Sequence, residues 1–218
     1  MDSNDQSPKK WRRRKDSRPR EIVEAALDAF AEKGFAATRL EDVAKSAGIS
    51  KGTLYLYFDD KEDLFKAVIQ QALIPNIASA EERLTDTTGS TQELLHRVVG
   101  HFVSAVAGSK LGVIPKLVIS EAHNFPDITK FYADEVIARG LKIVRAIILR
   151  GIERGEIRAI DPEVAAPILI GPLLLLMLWK NVFEPHSGQK IDSAAYIRTY
   201  EDILLNGLLE PAAKEGRS

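Results

Sequence analysis

The chain has no cysteine among its 218 residues. That absence excludes disulfide frameworks, thiolate zinc sites, iron–sulfur clusters and cysteine nucleophiles together, and it leaves shape and polarity as the means of recognition. Histidine is scarce too: His96, His101, His123 and His186 are the only ones, and no two stand at i, i+4 spacing. Neither a metal nor another cofactor is therefore expected. No period-two alternation marks a strand, and no repeat recurs every 20 to 50 residues or so, which argues against a solenoid. Walker and dinucleotide-binding motifs are missing. The run GISKG at 48–52 satisfies G-x-S-x-G in form only. That nucleophile elbow needs a preceding strand, and VAKSA before Gly48 reads as helix, so no enzyme is expected. The N-terminus has charges but no apolar run of about 7 to 15 residues behind them, so it is not read as a secretory signal and a cytoplasmic location is expected.

What is present is an ordinary globular composition, 45% hydrophobic and 28% charged, with a formal net charge of −1. The total hides an uneven distribution. Lys9, Lys10, Arg12, Arg13, Arg14, Lys15, Arg18 and Arg20 face a single acid, Asp16, between positions 9 and 20. Such blocks are either solvated leaders or arms that bind phosphates. Residues 1–15 are read as a basic flexible arm.

Helical signals follow almost without interruption. The pairs Ile22/Val23, Ala26/Leu27 and Phe30/Ala31 recur every four residues from near Arg18, and Gly34 suits the left-handed position that ends a helix. Thr38 and Glu41 have capping-box spacing, which predicts a second helix from about Arg39 to Ala47, ended by Gly48. Ser50 and Asp60 are placed to cap a third helix, KGTLYLYF, and a fourth that Pro75 kinks or divides. Ser90 with Glu93 opens another, running to about Ala107. Pro126 leads into a long helix ending near Arg154, Asp161 with Pro162 opens the next, and the last starts near Asp192 or Ser193. The fold class is all-α, about nine helices in all.

The most apolar stretch, Val164 to Trp179, is shorter than the roughly 20 residues a membrane span needs and contains Pro167, Gly171 and Pro172. A helix apolar all round is expected to be buried on two sides, here against its own core and a second copy.

Arg39 to Phe58 reads as two short helices joined at Gly48, a helix-turn-helix pattern. On a wheel of 100° per residue, Leu54 and Phe58 point inward, while Gly52, Thr53, Tyr55 and Leu56 point away with Lys51 and Tyr57 beside them. That outward face carries no acid and suits phosphates and base edges. The run FAEKGFAATRLEDVAKSAGISKGTLYLYFDDKEDLF, through its Gly34–Phe35 corner, Thr38, Val43–Ala44, Ala47–Gly48, Lys51–Gly52, Tyr55, Phe58, Lys61 and Leu64–Phe65, resembles the DNA-binding domain of TetR/AcrR-type transcriptional regulators. The resemblance implies a DNA-binding domain over 16–76, its helix-turn-helix at 39–58, and a ligand-binding and dimerisation domain over 77–218. It also implies phosphate contacts from Arg39, Ser50, Tyr57 and Lys61, and groove contacts from Lys51, Gly52, Thr53 and Tyr55. Leu56 is expected either on a thymine methyl or beside the backbone.

The C-terminal part names no ligand. A pocket for an apolar or aromatic molecule is expected from Phe102, Val106, Ile119, His123, Phe131, Met177 and Trp179, although each is also a plausible core residue. One recognition helix reads few bases, so a homodimer on a palindromic operator is expected. Its interface is placed on the last two helices, at Leu175, Leu178, Ile197, Tyr200, Leu204, Gly207 and Leu208. A ligand that prefers the conformation with badly spaced recognition helices then relieves repression. An activator or a co-repressor-dependent regulator of the same fold is the alternative, and a membrane-surface or lipid-binding protein a distant one.

Overall fold

The computed structural model describes residues 7–84, 88–104 and 109–208, with side chains over the part of these from 18 to 207. Among the described residues every regular element is helical. They form two compact units, the first made of the residues up to Pro75 together with Leu117–Tyr132, the second of Asn76–Lys116 and the residues from Ala133 onward.

In the first unit, α1 (Ser7–Lys33) starts well before the expected Arg18, so the backbone of the basic segment from Ser7 is helical rather than a flexible arm, and Pro19 lies inside it. Ile22, Val23, Ala26 and Phe30 form its buried face. Gly34, at φ +80°, reverses the chain and sends Phe35 back into the core. The expected Thr38–Glu41 capping box does not form. Thr38 is buried and donates its hydroxyl to the carbonyls of Gly34, at 2.7 Å, and Ala29, at 3.2 Å, because its side chain turns toward the end of α1 instead of along the next helix. Arg39 is the N-cap of α2 (Leu40–Ser46) and supplies no side-chain cap. Gly48, at φ +65°, makes the turn, after which the Ile49 amide donates to the Ala44 carbonyl at 2.9 Å. Ser50 caps α3, which is shorter than expected at Lys51–Tyr55, and Asp60 caps α4 (Lys61–Ala72).

Leu73 separates α4 from α5 (Ile74–Arg83), and Pro75 stands in the first turn of α5, so the division expected near that proline is present. The later segment holding the end of α7 (Ile114–Glu121) and α8 (Pro126–Tyr132) belongs to the first unit, against the expectation that everything after residue 76 lies in the other domain. The reason is packing. Phe125 meets Phe35 edge-on at 4.8 Å between centroids, Ile128 is buried, and α8 lies against α4.

The second unit contains α6 (Thr91–Phe102), opened by a complete Ser90–Glu93 capping box, a 3-10 turn at Lys110–Val113 and α9 (Ala138–Glu153). It continues with α10 (Pro162–Leu178), α11 (Glu184–Ser187) and α12 (Ser193–Leu208). A π-turn at Ala133–Ile137 precedes α9, and another at Trp179–Phe183 joins α10 to α11, so these last two are pieces of one longer rod. Asp161 caps α10 through the Glu163 amide, with Pro162 in the first turn. Ala80, Leu94, Leu95, Val99, Ile143, Ile147, Leu173 and Leu204 form the core.

Candidate nucleic-acid interface and effector-domain surfaces

The turn at Gly48 and the Ser50 cap set the direction of α3, and its two faces differ sharply. Leu54 and Phe58 are buried, Thr53 and Tyr57 are half-buried, and Lys51, Gly52, Tyr55 and Leu56 are exposed. Leu54 and Phe58 thus lie inward and Gly52, Tyr55 and Leu56 outward as the helical wheel predicts, while Thr53, expected outward, is half-buried. Arg39 is exposed at the start of α2. Ser50 Oγ accepts from the Thr53 amide at 3.1 Å and shares a hydrogen bond with Thr53 Oγ1 at 2.8 Å, so the two hydroxyls hold each other in place.

Two features alter the electrostatics expected of this face. Glu41, in the first turn of α2, forms an ion pair with Lys51, whose ammonium also stands 5.7 Å from the Tyr55 ring centroid. The hydrogen bond with Lys51 holds the Glu41 carboxyl below its ordinary range, and the same bond raises Lys51. A wheel drawn on α3 alone does not contain Glu41. Its position ten residues before Lys51 carries no sequence signal without the fold.

Lys61 is the second feature, and it corrects an expectation. Its ammonium donates to the carbonyls of Phe35 at 2.8 Å, Ala36 at 3.0 Å and Thr38 at 3.2 Å, and sits 4.6 Å above the Phe35 ring. Burial pushes its pKa down, with the Glu121 carboxylate acting in the opposite sense. A lysine with its three donors placed on the α1–α2 loop closes that loop and is not free to contact phosphate. In the basic segment, Arg18 pairs with Glu21 and Arg20 with Glu24, each at 3.0 Å. The side chains of Lys9, Lys10, Arg12, Arg13, Arg14 and Lys15 lie outside the described residues.

The residues expected to line a pocket are divided between the two units. Phe102, Met177 and Trp179 belong to the second unit, where Phe102 packs on the core, Met177 is buried and the Trp179 indole donates to the Gln189 carbonyl at 3.3 Å. Ile119, His123 and Phe131 belong to the first unit, and Ile119 and His123 are exposed, as expected of residues near the end of α7 rather than on an inward helical face. Val106 lies outside the described residues. Among the described residues no group of three potential metal ligands occurs.

The stripe assigned to an interface on α12 also turns out differently. Leu204 is buried in the core of its own unit, and Ile197 and Tyr200 pack against that core. The Tyr200 hydroxyl donates to the Leu169 carbonyl at 2.5 Å, and burial pushes its pKa up to about 12. Tyr196 likewise donates to the Pro172 carbonyl at 2.9 Å. Anchored by two buried-side hydroxyls, this face of α12 is committed to α10 of the same chain. Gly207 is exposed, and the Leu208 side chain lies outside the described residues. The unpartnered apolar surface is on α10 instead, where Val164, Ile168, Gly171 and Leu175 are exposed at spacings of four, three and four, with Leu178 half-buried. The helical run Pro162–Ser187 is long and apolar enough to cross a membrane by composition, and only 22% of its most apolar window is buried.

The match to known proteins covers both units. The family described as bacterial regulatory proteins, tetR family, matches residues 22–68, and the tetracyclin repressor-like C-terminal domain matches residues 85–191. The chain belongs to the TetR family. The first of these matches contains α2, the Gly48 turn and α3 described above. Among curated TetR-type relatives, the fatty acid metabolism regulator protein of Bacillus subtilis is 26% identical over 89% of this chain and 98% of its own length. The HTH-type transcriptional repressor KstR2 of Rhodococcus jostii is 24% identical over 90% and 94%. The crystal structure of the transcriptional regulator FadR from Bacillus subtilis in complex with stearoyl-CoA superposes with a TM-score of 0.73 at 26% identity, covering 86% of this chain and 98% of that one. The chain is thus similar to transcriptional regulators along nearly its whole length, in an all-α fold.

Proposed function

We propose that this TetR-family protein is a cytoplasmic, non-catalytic homodimeric repressor that binds a palindromic operator and leaves it on binding a long-chain acyl-CoA. The observation that carries the DNA-binding half is the exposure of Gly52, Tyr55 and Leu56 away from the buried Leu54 and Phe58, with Lys51 exposed at the flank of that face. Lys51 exchanges Glu41 for nucleic acid as the face docks, Tyr55 and the close-approaching Gly52 enter the groove, and Arg39 and Tyr57 take phosphates. Thr53 and Ser50 turn from each other toward the same surface. The acyl-CoA reading is supported by the whole-length similarity to a fatty acid metabolism regulator and to a neighbour solved with stearoyl-CoA. Only the acyl chain has the apolar character expected of the effector; the coenzyme A head group is a polyanion outside that expectation. The second copy is seated on the exposed α10 stripe, which gives that stripe the second burial its composition calls for.

Selection of bound sequences from a random duplex pool, followed by titration of the winning duplex with stearoyl-CoA, tests the reading. A palindromic winner bound by two or four subunits and released by stearoyl-CoA is expected. A winner that ignores every acyl-CoA chain length overturns the effector, and the absence of any enriched sequence overturns the repressor itself.

The basic segment gives a separate prediction. Each phosphate neutralised on B-DNA contributes about 0.9 to the slope of log affinity against log salt. Removal of residues 1–17 is expected to flatten the slope by about 0.9 for every phosphate that is no longer neutralised, with little change in which sequence is preferred. Filter binding or fluorescence anisotropy between low and physiological salt reads it directly, and an unchanged slope means that these residues neutralise no phosphate.

A further inference from the structure

We propose that Leu56 reads the C5-methyl group of one thymine in each operator half-site. The inference rests on the DNA-binding reading above and adds to it the base contact that an aliphatic side chain makes.

Leu56 is 82% exposed, more than any other large hydrophobic side chain among the described residues. It has no inward alternative. Its backbone is right-handed helical, at φ −75° and ψ −16°, and its amide donates to the Thr53 carbonyl at 3.3 Å. Leu54 and Phe58, two positions away on either side, are buried and fix the rotation of the segment. The side chain is therefore held outward on a well-anchored turn, beside Tyr55 and on the same face as Gly52, one helical turn before it.

An aliphatic group in that place is worth something only against an apolar partner, because a phosphate pressed against it loses water and gains no hydrogen bond. Among the unmodified bases, the major-groove edge offers one such partner, the thymine methyl. 5-Methylcytosine displays the same methyl at the same ring position, so the chemistry recognised is a C5-methylpyrimidine, and thymine is the source assigned here. Leu56 lies just past the end of α3, one residue beyond Tyr55. It would thus contact a base near the edge of the footprint of that helix.

The test uses the full-length protein and its selected operator, with each thymine replaced in turn by deoxyuridine, which removes the methyl and nothing else. At one position per half-site the wild-type protein should lose about fourfold in affinity, the size of one buried methyl group, and roughly 15-fold when both half-sites are changed. Leu56→Ala should bind thymine and uracil equally at that position while keeping the wild-type responses elsewhere. Because Leu56 is exposed, its fold should be unaltered, as circular dichroism and thermal melting verify. Replacing the T·A pair by C·G should weaken wild-type binding, and 5-methylcytosine in the same pair should recover part of it. Indifference to uracil at every position overturns the proposal, as does a Leu56→Ala protein that keeps its sensitivity to uracil. Uniform weakening by Leu56→Ala across all sequences also overturns it and places Leu56 beside the backbone. If no operator is enriched at all, the DNA-binding reading fails and the proposal falls with it; if an operator is enriched but uracil is tolerated throughout, only the proposal fails.

Discussion

Phe35→Ala is expected to destabilise the DNA-binding unit by about 3–5 kcal/mol, the usual cost of removing a fully buried aromatic ring. Phe35 is 1% exposed and touches three other rings, Phe30 at 5.4 Å, Phe65 at 5.2 Å and Phe125 at 4.8 Å between centroids. It also forms the floor under the Lys61 ammonium. The cavity therefore opens where α1, α4 and the α7–α8 segment meet, and Lys61 is deprived of its aromatic neighbour while still tied to the loop carbonyls. Set against whole-domain stabilities of about 5–15 kcal/mol, that cost lowers the temperature at which operator binding is lost. Denaturant unfolding gives the stability change, and Phe35→Leu should recover most of it by refilling the volume. A Phe35→Ala protein with an unshifted midpoint would show that the four-ring cluster does not stabilise the unit.

Ile168→Arg should abolish the dimer proposed above. Ile168 is 65% exposed in the middle of the α10 stripe, with Val164, Gly171 and Leu175 above and below it on the same face. In a two-fold interface one substitution places two arginines, each without a partner, against an apolar surface. At about 3 kcal/mol for each uncompensated charge, the dissociation constant of the dimer rises by more than a thousandfold. Operator affinity should fall at least a hundredfold with it, because half-sites are then bound singly. Light scattering during size exclusion reads the first effect and anisotropy the second. A protein that stays dimeric with unchanged affinity rules out this face as the interface, and loss of vesicle binding instead of loss of the dimer would mark α10 as a lipid-contacting surface.

Where the sequence could be read correctly, the information was local. Ser50, Asp60, Ser90 and Asp161 cap the helices expected of them, because a cap is decided within three or four residues. The two faces of α3 follow from helical periodicity alone. Thr38 misled because two local uses of its hydroxyl compete, and burial against the end of α1 decides between them. Ile197, Tyr200 and Leu204 misled for a different reason. Periodicity shows that a face is buried but not what buries it, and the hydroxyl anchors of Tyr196 and Tyr200 on α10 become visible only in three dimensions. Lys61 belongs with them: the family resemblance implies a phosphate ligand at this position, and the three carbonyls beneath its ammonium are visible only in the structure.

The return of Leu117–Tyr132 to the first unit bears on how such regulators are recombined. The polypeptide passes between the two units at Pro75/Asn76, Lys116/Leu117 and Tyr132/Ala133. A hybrid regulator made by exchanging the N-terminal 75 residues with those of a relative would keep its original Phe125 and Ile128 against a foreign Phe35 and α4. Grafted specificity therefore requires the short downstream insert to travel with the helix-turn-helix, so the smallest exchangeable part of this protein is discontinuous in its gene.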